Sequence, residues 1–219
     1  MKVKLKREKL KLTIFGATGG TGKQLVEQAL AAGKQVVAYV RNPSKLNVRH
    51  EYLRIVEGEL ADKMMIEQAV NGVDAVISVL GPRKGSKDKP ITQGMQNIIV
   101  AMNKYGVRRL IVSSTLSVED PNDLPEFTAK VLVKIVKLTM RAAYEEIISV
   151  AETVRKSDID WTILRLTTLN NNPKSGKVRV GYLGRGEVGL RISRADLAQF
   201  MLEQVQNSKY LQQSPVISN

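Results

Sequence analysis

Apolar positions along the chain switch repeatedly between two spacings. Leu10–Phe15 is a short, nearly continuous apolar run. Directly after it Leu25, Val26, Ala29 and Leu30 recur at helical spacing, and Gly33 closes the run. This pattern predicts a strand, a tight turn and a helix. Gln35–Val40, Tyr52–Val56, Asp74–Leu80, Arg109–Val112 and Ile159–Leu164 are further short runs with the β-branched content of buried strands. Between them the spacing returns to helical. Asp62 is placed to cap a helix over Lys63–Val70. Met95, Ile98, Ile99 and Met102 form the apolar face of Ile91–Tyr105, which Gly106 ends. Ser193 is placed to cap Arg194–Val205, with Asp196 in the first turn. Strands alternating with helices predict an α/β chain built on a doubly wound parallel sheet. With no internal repeat and no linker, residues 1–219 are expected to form a single domain.

Other stretches leave more open. Met1–Lys11 alternates Lys with Val or Leu, and residues 1–9 are expected to form a solvated basic tail. Asp120–Pro125 reads as a loop from its prolines and acids. Glu126–Lys156 reads as largely helical, with room for a break near Thr139–Ala142. Lys130, Lys134, Lys137 and Arg141 form one ridge along it, expected to be solvated. Its other faces carry Val131, Leu132, Val133, Ile135, Val136 and Leu138, wider than one packing stripe needs. The segment is therefore either deeply packed or a subunit contact, which makes a homo-oligomer through residues 126–156 one outcome. Lys177–Leu183 and Val188–Ile192 look like short strands around a glycine turn.

The first turn carries the most specific chemistry. Its glycines fall as Gly16-x-x-Gly19-x-x-Gly22. Glycine is needed where φ is positive or where backbone must nearly touch a ligand. Free amides at a helix start, backed by the helix dipole, bind anions, and in a strand–turn–helix unit the usual anion is a dinucleotide pyrophosphate. The end of the second strand then decides the cofactor type. An acid there would hydrogen-bond the ribose hydroxyl of NAD, whereas Arg41, with Lys45 behind it, suits the 2′-phosphate of NADP(H). Ligands of such sheets sit beyond the carboxyl ends of the strands. Gly81 and Pro82, after the fourth strand, are thus expected beside the cofactor, with Arg83 and Lys84 at the mouth of the site. The polar loop that follows is either a flap or solvated surface. Ser113, Ser114 and Thr115, after the fifth strand, are expected to turn their hydroxyls toward the same crevice.

Composition removes several alternatives. There is no cysteine, hence no thiol nucleophile, disulfide or thiolate metal site, and His50 is the only histidine. No metal site is expected. Lys and Arg number 34 against 21 Asp and Glu, a net +13 that favours anionic partners. Aromatics are only 5%, without the basic–aromatic interleaving of a base-stacking surface, so nucleic acid is not expected. No apolar run is long enough for a membrane span. A small-molecule substrate and a cytoplasmic location are the expectations.

GATGGTG, VRNPSKL, GELAD, VLGP, VSST, DWTILR and ISRADLAQFML occur in that order over nearly the whole chain. Together they resemble the atypical short-chain dehydrogenase/reductase family, which has an NAD(P)-binding Rossmann fold. VLGPRK, the loop from Asp120-Pro121 to Pro125 and GRG…ISRADLAQFML look most like its biliverdin-IXβ and flavin reductase branch. The resemblance implies that Gly16, Thr18, Gly19, Gly20, Thr21 and Gly22 cradle the pyrophosphate. It implies that Arg41 takes the 2′-phosphate and that Glu59 and Leu60 meet the adenine. Leu80, Gly81, Pro82 and Arg83 would flank the nicotinamide ribose, with Ser113 alongside and Thr167 and Thr168 near the ring. Thr115 would occupy the family's catalytic Ser/Thr position, with Ser114 next to it. Residues 166–192 would contribute the substrate side. The chain departs from the family at several points. The superfamily's catalytic tyrosine has a lysine four residues on, but Tyr144 is followed there by Ile148. A tyrosine without that lysine is a poor acid at neutral pH. Glu59 replaces an aspartate, Leu166 replaces a proline, and the Asp120–Tyr144 stretch looks longer.

These readings converge on a reductase that transfers hydride from NADPH to a flat conjugated acceptor such as a flavin, tetrapyrrole or quinone. Two alternatives stand beside it: a non-catalytic NADP(H)-binding redox sensor presenting the Lys130–Arg141 ridge to a partner, and a nucleotide-sugar epimerase or dehydratase.

Overall fold

A computed structural model describes residues 9–82 and 89–219. Residues 1–8 of the basic tail lie outside the described residues, as do Arg83, Lys84 and the rest of the loop through Asp88. In chain order the elements are β1 (Lys11–Phe15), α1 (Gly20–Ala31), β2 (Gln35–Val40), β3 (Leu53–Glu57), α2 (Lys63–Val70), β4 (Ala75–Ser78) and α3 (Pro90–Lys104). There follow β5 (Arg109–Thr115), α4 (Phe127–Thr139), α5 (Arg141–Arg155), β6 (Asp160–Leu166), β7 (Thr168–Asn170), β8 (Arg179–Gly181), β9 (Arg191–Ser193), α6 (Arg194–Glu203) and β10 (Val216–Ser218).

The main sheet runs β3-β2-β1-β4-β5-β6-β10-β8, parallel throughout except where β8 pairs with β10. This is the doubly wound Rossmann arrangement, with its switch point between β1 and β4. The side-chain alternation of each strand splits the core in two. Leu12 and Ile14 pack with the α1 and α6 residues Leu25, Val26, Leu197 and Met201. Phe15 faces the other way, into the layer that α2, α3 and α5 build with Ile66, Met95, Ile98 and Val154. Thr13 shares that second face, and its hydroxyl donates to the Ala69 carbonyl at 2.5 Å. Asp62 and Ser193 cap their helices by accepting from the Met65 and Asp196 amides at 3.1 and 3.0 Å. The long helical segment breaks at Met140, with φ −132° and ψ 43°, inside the expected interval.

Three expectations need correction, and one strand was not expected. Ser113, Ser114 and Thr115 do not follow the fifth strand. They are its last three residues, paired with Leu164, Arg165 and Leu166 of β6. The two strands expected around a glycine turn are shorter and do not pair with each other: β8 joins the main sheet, and β9 forms a separate two-stranded parallel sheet with β7. β10 carried no expectation at all, yet Val216, Ile217 and Ser218 are fully buried between β6 and β8. Finally, Val131, Ile135 and Leu138 of α4 are 41, 51 and 75% exposed, so that helix is not deeply packed. Of the expected ridge, Lys134, Lys137 and Arg141 are exposed, and the Lys130 side chain lies outside what is described.

Candidate functional site

The glycine turn brings backbone into contact where side chains would not fit. Gly16 has φ +86°, and a Cβ there would lie 2.9 Å from the Val79 carbonyl oxygen at the end of β4. A Cβ on Gly22 would lie 2.1 Å from the Gly16 carbonyl oxygen, so the first turn of α1 can sit on the loop only as glycine. Gly19, the N-cap, donates its amide to Gly16 at 3.0 Å and offers no capping side chain. The start of α1 is thus left as an anion site at the switch point. Gly20 lies under Arg194, whose Nε would be 2.8 Å from a Cβ there. That guanidinium also donates to Asn171 Oδ1 at 2.7 Å.

Two cavities open on either side of this turn. The first, of about 520 Å³, is lined by Gly16, Thr18, Tyr39, Arg41, Glu59, Leu60, Leu80 and Gly81, among others. It lies beyond β1–β3, the side where a dinucleotide's adenosine half belongs. Arg41 is exposed at the end of β2 and makes no ion pair among the described residues. Tyr39 donates its hydroxyl to the Glu59 carbonyl at 2.7 Å, and Asn97 Nδ2 donates to the Leu60 carbonyl at 2.9 Å. These two bonds hold the floor of the cavity in place. Burial, and then the charges of Asp62 and Glu59, push the Tyr39 phenol up to about 12, so it remains a donor across the neutral range. Lys45 sits exposed in a 3-10 turn over Pro43–Lys45 and does not line the cavity.

The second cavity, of about 220 Å³, lies beyond β4, β5 and β6. Thr21, Leu80, Gly81 and Pro82 form one wall, and Ser113, Ser114 and Thr115 stand along the floor. Ile147, Val150, Leu166 and Leu169 supply apolar surface. Leu80, Gly81 and Ile91 line both cavities, which makes them two ends of one crevice. Thr167 and Thr168 line neither. The Thr167 hydroxyl donates to the Ile217 carbonyl at 3.2 Å, and Thr168 is exposed on β7. Their neighbours Leu166 and Leu169 face the cavity instead. Sequence reasoning missed Glu146, which also lines this cavity and is only 2% exposed. The available signal was its place four and eight residues before Val150 and Val154, on the buried stripe of α5.

Tyr144 lies elsewhere. It lines a third, more open groove with Lys134, Lys137, Asp120, Asp123 and Leu183. Lys137 Nζ stands 5.6 Å from its ring centroid. The wall of this groove is anchored by Arg165, which is fully buried on β6. Arg165 grips both Asp123 carboxylate oxygens at 2.6 and 2.7 Å and donates to the Ser214 carbonyl at 2.5 Å and the Val118 carbonyl at 3.0 Å. Burial alone would raise the Asp123 carboxyl. The Arg165 hydrogen bonds and charge, with the amides of Leu183 and Asp120, outweigh it and hold the group below the usual carboxylate range. A parallel role falls to buried Asp196, which accepts from Ser193, Ser175, Gly176 and Asn219 and so binds the 175–176 loop to α6 and β10. No group of side chains suited to a metal ion occurs among the described residues.

The family model described as NAD(P)H-binding matches residues 16–208. The (4-alkanoyl-5-oxo-2,5-dihydrofuran-3-yl)methyl phosphate reductase of Streptomyces griseus is 29% identical over 164 residues, 75% of this chain and 50% of that protein. Oxidoreductase aflX of Aspergillus parasiticus is 30% identical over 135 residues, 54% of this chain and 51% of that one. The chain spans about half the length of these two relatives. Among solved structures, a short-chain dehydrogenase/reductase from Veillonella parvula in complex with NADP matches with a TM-score of 0.77 at 22% identity, covering 96% of this chain and 94% of its own. ChuY, an anaerobillin reductase from Escherichia coli O157:H7, matches with a TM-score of 0.77 at 22% identity, covering 95% and 96%. At that identity the likeness is one of fold. No helix among the described residues is long and apolar enough to cross a membrane.

Proposed function

The chain belongs to the NAD(P)H-binding family, and on that premise we propose that it is an NADPH-dependent reductase acting on a flat conjugated acceptor. The observation that carries the proposal is the second cavity: narrow, largely apolar, floored by three hydroxyls, and without Tyr144. NADPH, when bound, would supply a hydride, and the acceptor would take its balancing proton from water.

The glycine turn and the amides at the start of α1 would hold the pyrophosphate, Arg41 would hold the 2′-phosphate, and Glu59 and Leu60 would border the adenine. Gly81 and Pro82 would border the nicotinamide ribose. Leu166 and Leu169 press the acceptor against the donor and exclude water, which is the protein's main contribution to such a transfer. Thr115, with Ser114 beside it, orients the ring or relays a proton. A flavin, tetrapyrrole or quinone suits this arrangement because none of them needs a strong protein acid. The named reductases among the relatives and the NADP in one structural neighbour support the same direction. Residues 166–192 would form the side from which the acceptor enters.

The test is steady-state NADPH oxidation against a panel of flavins, quinones and biliverdin. Turnover with at least one flat acceptor is expected. Tight NADPH binding with no turnover on any of them would favour a redox sensor, the reading that the absent Tyr–Lys pair and the exposed apolar face of α4 otherwise suggest.

A further inference from the structure

Glu146 is the one ionisable residue lining the second cavity among the described residues. It is 2% exposed, on the stripe of α5 that faces the sheet. One carboxylate oxygen accepts the Ile91 amide at 2.6 Å. That contact has a clear structural role. Helix α3 starts at Pro90 behind Lys89, which has φ +45° and provides no side-chain cap, so Glu146 caps it from a different helix. Lys89 reinforces the junction by donating to Ser149 Oγ at 3.1 Å. Among the described residues the second carboxylate oxygen has no hydrogen-bond partner, and no ion pair reaches Glu146. A glutamine would also cap Ile91, although the carboxylate does so with a charge-assisted bond at the positive end of α3. Capping therefore accounts for one carboxylate oxygen and leaves the other without a counter-charge among the described residues.

The counter-charge that fits is one that arrives with the ligand. The cavity lies beyond β4–β6, where the nicotinamide half of the dinucleotide belongs. The oxidised and reduced cofactors share their phosphates and differ at the ring by one positive charge. We infer that Glu146 is a positioning residue that sets the oxidised-to-reduced preference of the bound cofactor, by placing its carboxylate beside the nicotinamide ring. This inference rests on the proposed function above. In a cavity with Ile91, Ile147, Val150, Leu166 and Leu169 in its walls, such a pair is poorly screened, so the charge favours the oxidised form. It also lowers the cost of forming positive charge as hydride departs, which is the charge placement expected of a reductase rather than of a passive binding pocket.

The test is the ratio of two binding constants rather than turnover. Affinities for NADP+ and NADPH are measured by calorimetry and fluorescence titration for the full chain, E146Q and E146D. Glutamine keeps the acceptor for Ile91, and thermal unfolding without cofactor checks that the cap has survived. E146Q is expected to weaken NADP+ by about fivefold or more while leaving NADPH within about twofold. E146D, which keeps the charge, is expected to retain a preference for NADP+ closer to wild type, and it carries the test should E146Q fail to fold. Equal losses for both forms in E146Q, or an E146D ratio that falls as far as that of E146Q, would overturn the inference, since a cap or a packing role affects both forms alike. A wild type that binds neither form would overturn the functional reading and this inference with it.

Discussion

The two ends of the crevice are built by different means. The end proposed for the adenosine half is mostly backbone: a glycine turn with Gly16 at φ +86°, an uncapped helix start, and a β3–α2 turn whose carbonyls accept from the Tyr39 and Asn97 side chains. Its side-chain chemistry is concentrated in Arg41. The end proposed for the acceptor is made of side chains delivered by distant segments, namely hydroxyls from β5, Glu146 from α5 and leucines from β6 and β7. The separate groove around Tyr144 is anchored by the Arg165–Asp123 pair. Backbone sites tolerate drift in most neighbouring side chains but not in their glycines. Side-chain sites can change acceptor without changing the fold, which is how one scaffold comes to serve many reactions.

Substitutions can test that division. Gly19→Val places a branched side chain at the anion site, while a Cβ there lies 3.4 Å from the Gly16 oxygen and leaves the turn room to fold. The chain is expected to unfold normally but to bind NADPH at least about 100-fold more weakly in fluorescence titration. Retained affinity would show that the adenosine end does not depend on backbone. In the Tyr144 groove, Asp123→Asn strips a buried guanidinium of its counter-charge and is expected to cost about 3 kcal/mol of stability in urea unfolding. NADPH affinity should change little. The sign of the pH effect follows from the lowered carboxyl of Asp123. Its contribution is complete above the ordinary carboxylate range near about pH 4 and fades as pH falls through the folded value, so Asp123→Asn should flatten the acid limb of the stability curve.

Smaller effects sharpen the contrast. Arg41→Ala is expected to weaken NADPH by about 2 kcal/mol in calorimetry and to leave NADH nearly unchanged, as for a lost charge-assisted contact. Equal losses for both would remove Arg41 from 2′-phosphate recognition. Thr115→Ala is expected to slow flavin-dependent NADPH oxidation by about tenfold. Tyr144→Phe should have the smallest effect, within about threefold, because Tyr144 stands in the outer groove and not among the β5 hydroxyls. A large loss from Tyr144→Phe alone would restore tyrosine chemistry and indicate an ordinary carbonyl substrate.

What was legible in the sequence follows the same line. The β1–turn–α1 unit, the Asp62 and Ser193 caps and the break at Met140 are local features, set by residues a few positions apart. Local spacing shows them directly. Glu146 is a site residue only because α5 passes beside the start of α3, 55 positions away in the chain. β10 is three residues long, too short for any periodicity, and is a strand because β6 and β8 hold it on both edges. Thr167 and Thr168 illustrate the reverse case. A motif placed them near the ring, but the short β7–β9 sheet turns Leu169 inward and leaves Thr168 outside.

Leu80, Gly81 and Ile91 belong to both cavities, so one wall runs through the whole crevice. Under the proposed function the cofactor spans both cavities and meets the acceptor in the second, and thermodynamic linkage then constrains cofactor and acceptor as a pair. By whatever factor a bound acceptor alters NADPH affinity, NADPH alters acceptor affinity by the same factor. A cofactor titration repeated with and without a saturating acceptor therefore reports on acceptor binding without any turnover. It could rank acceptors even for a variant that no longer transfers hydride.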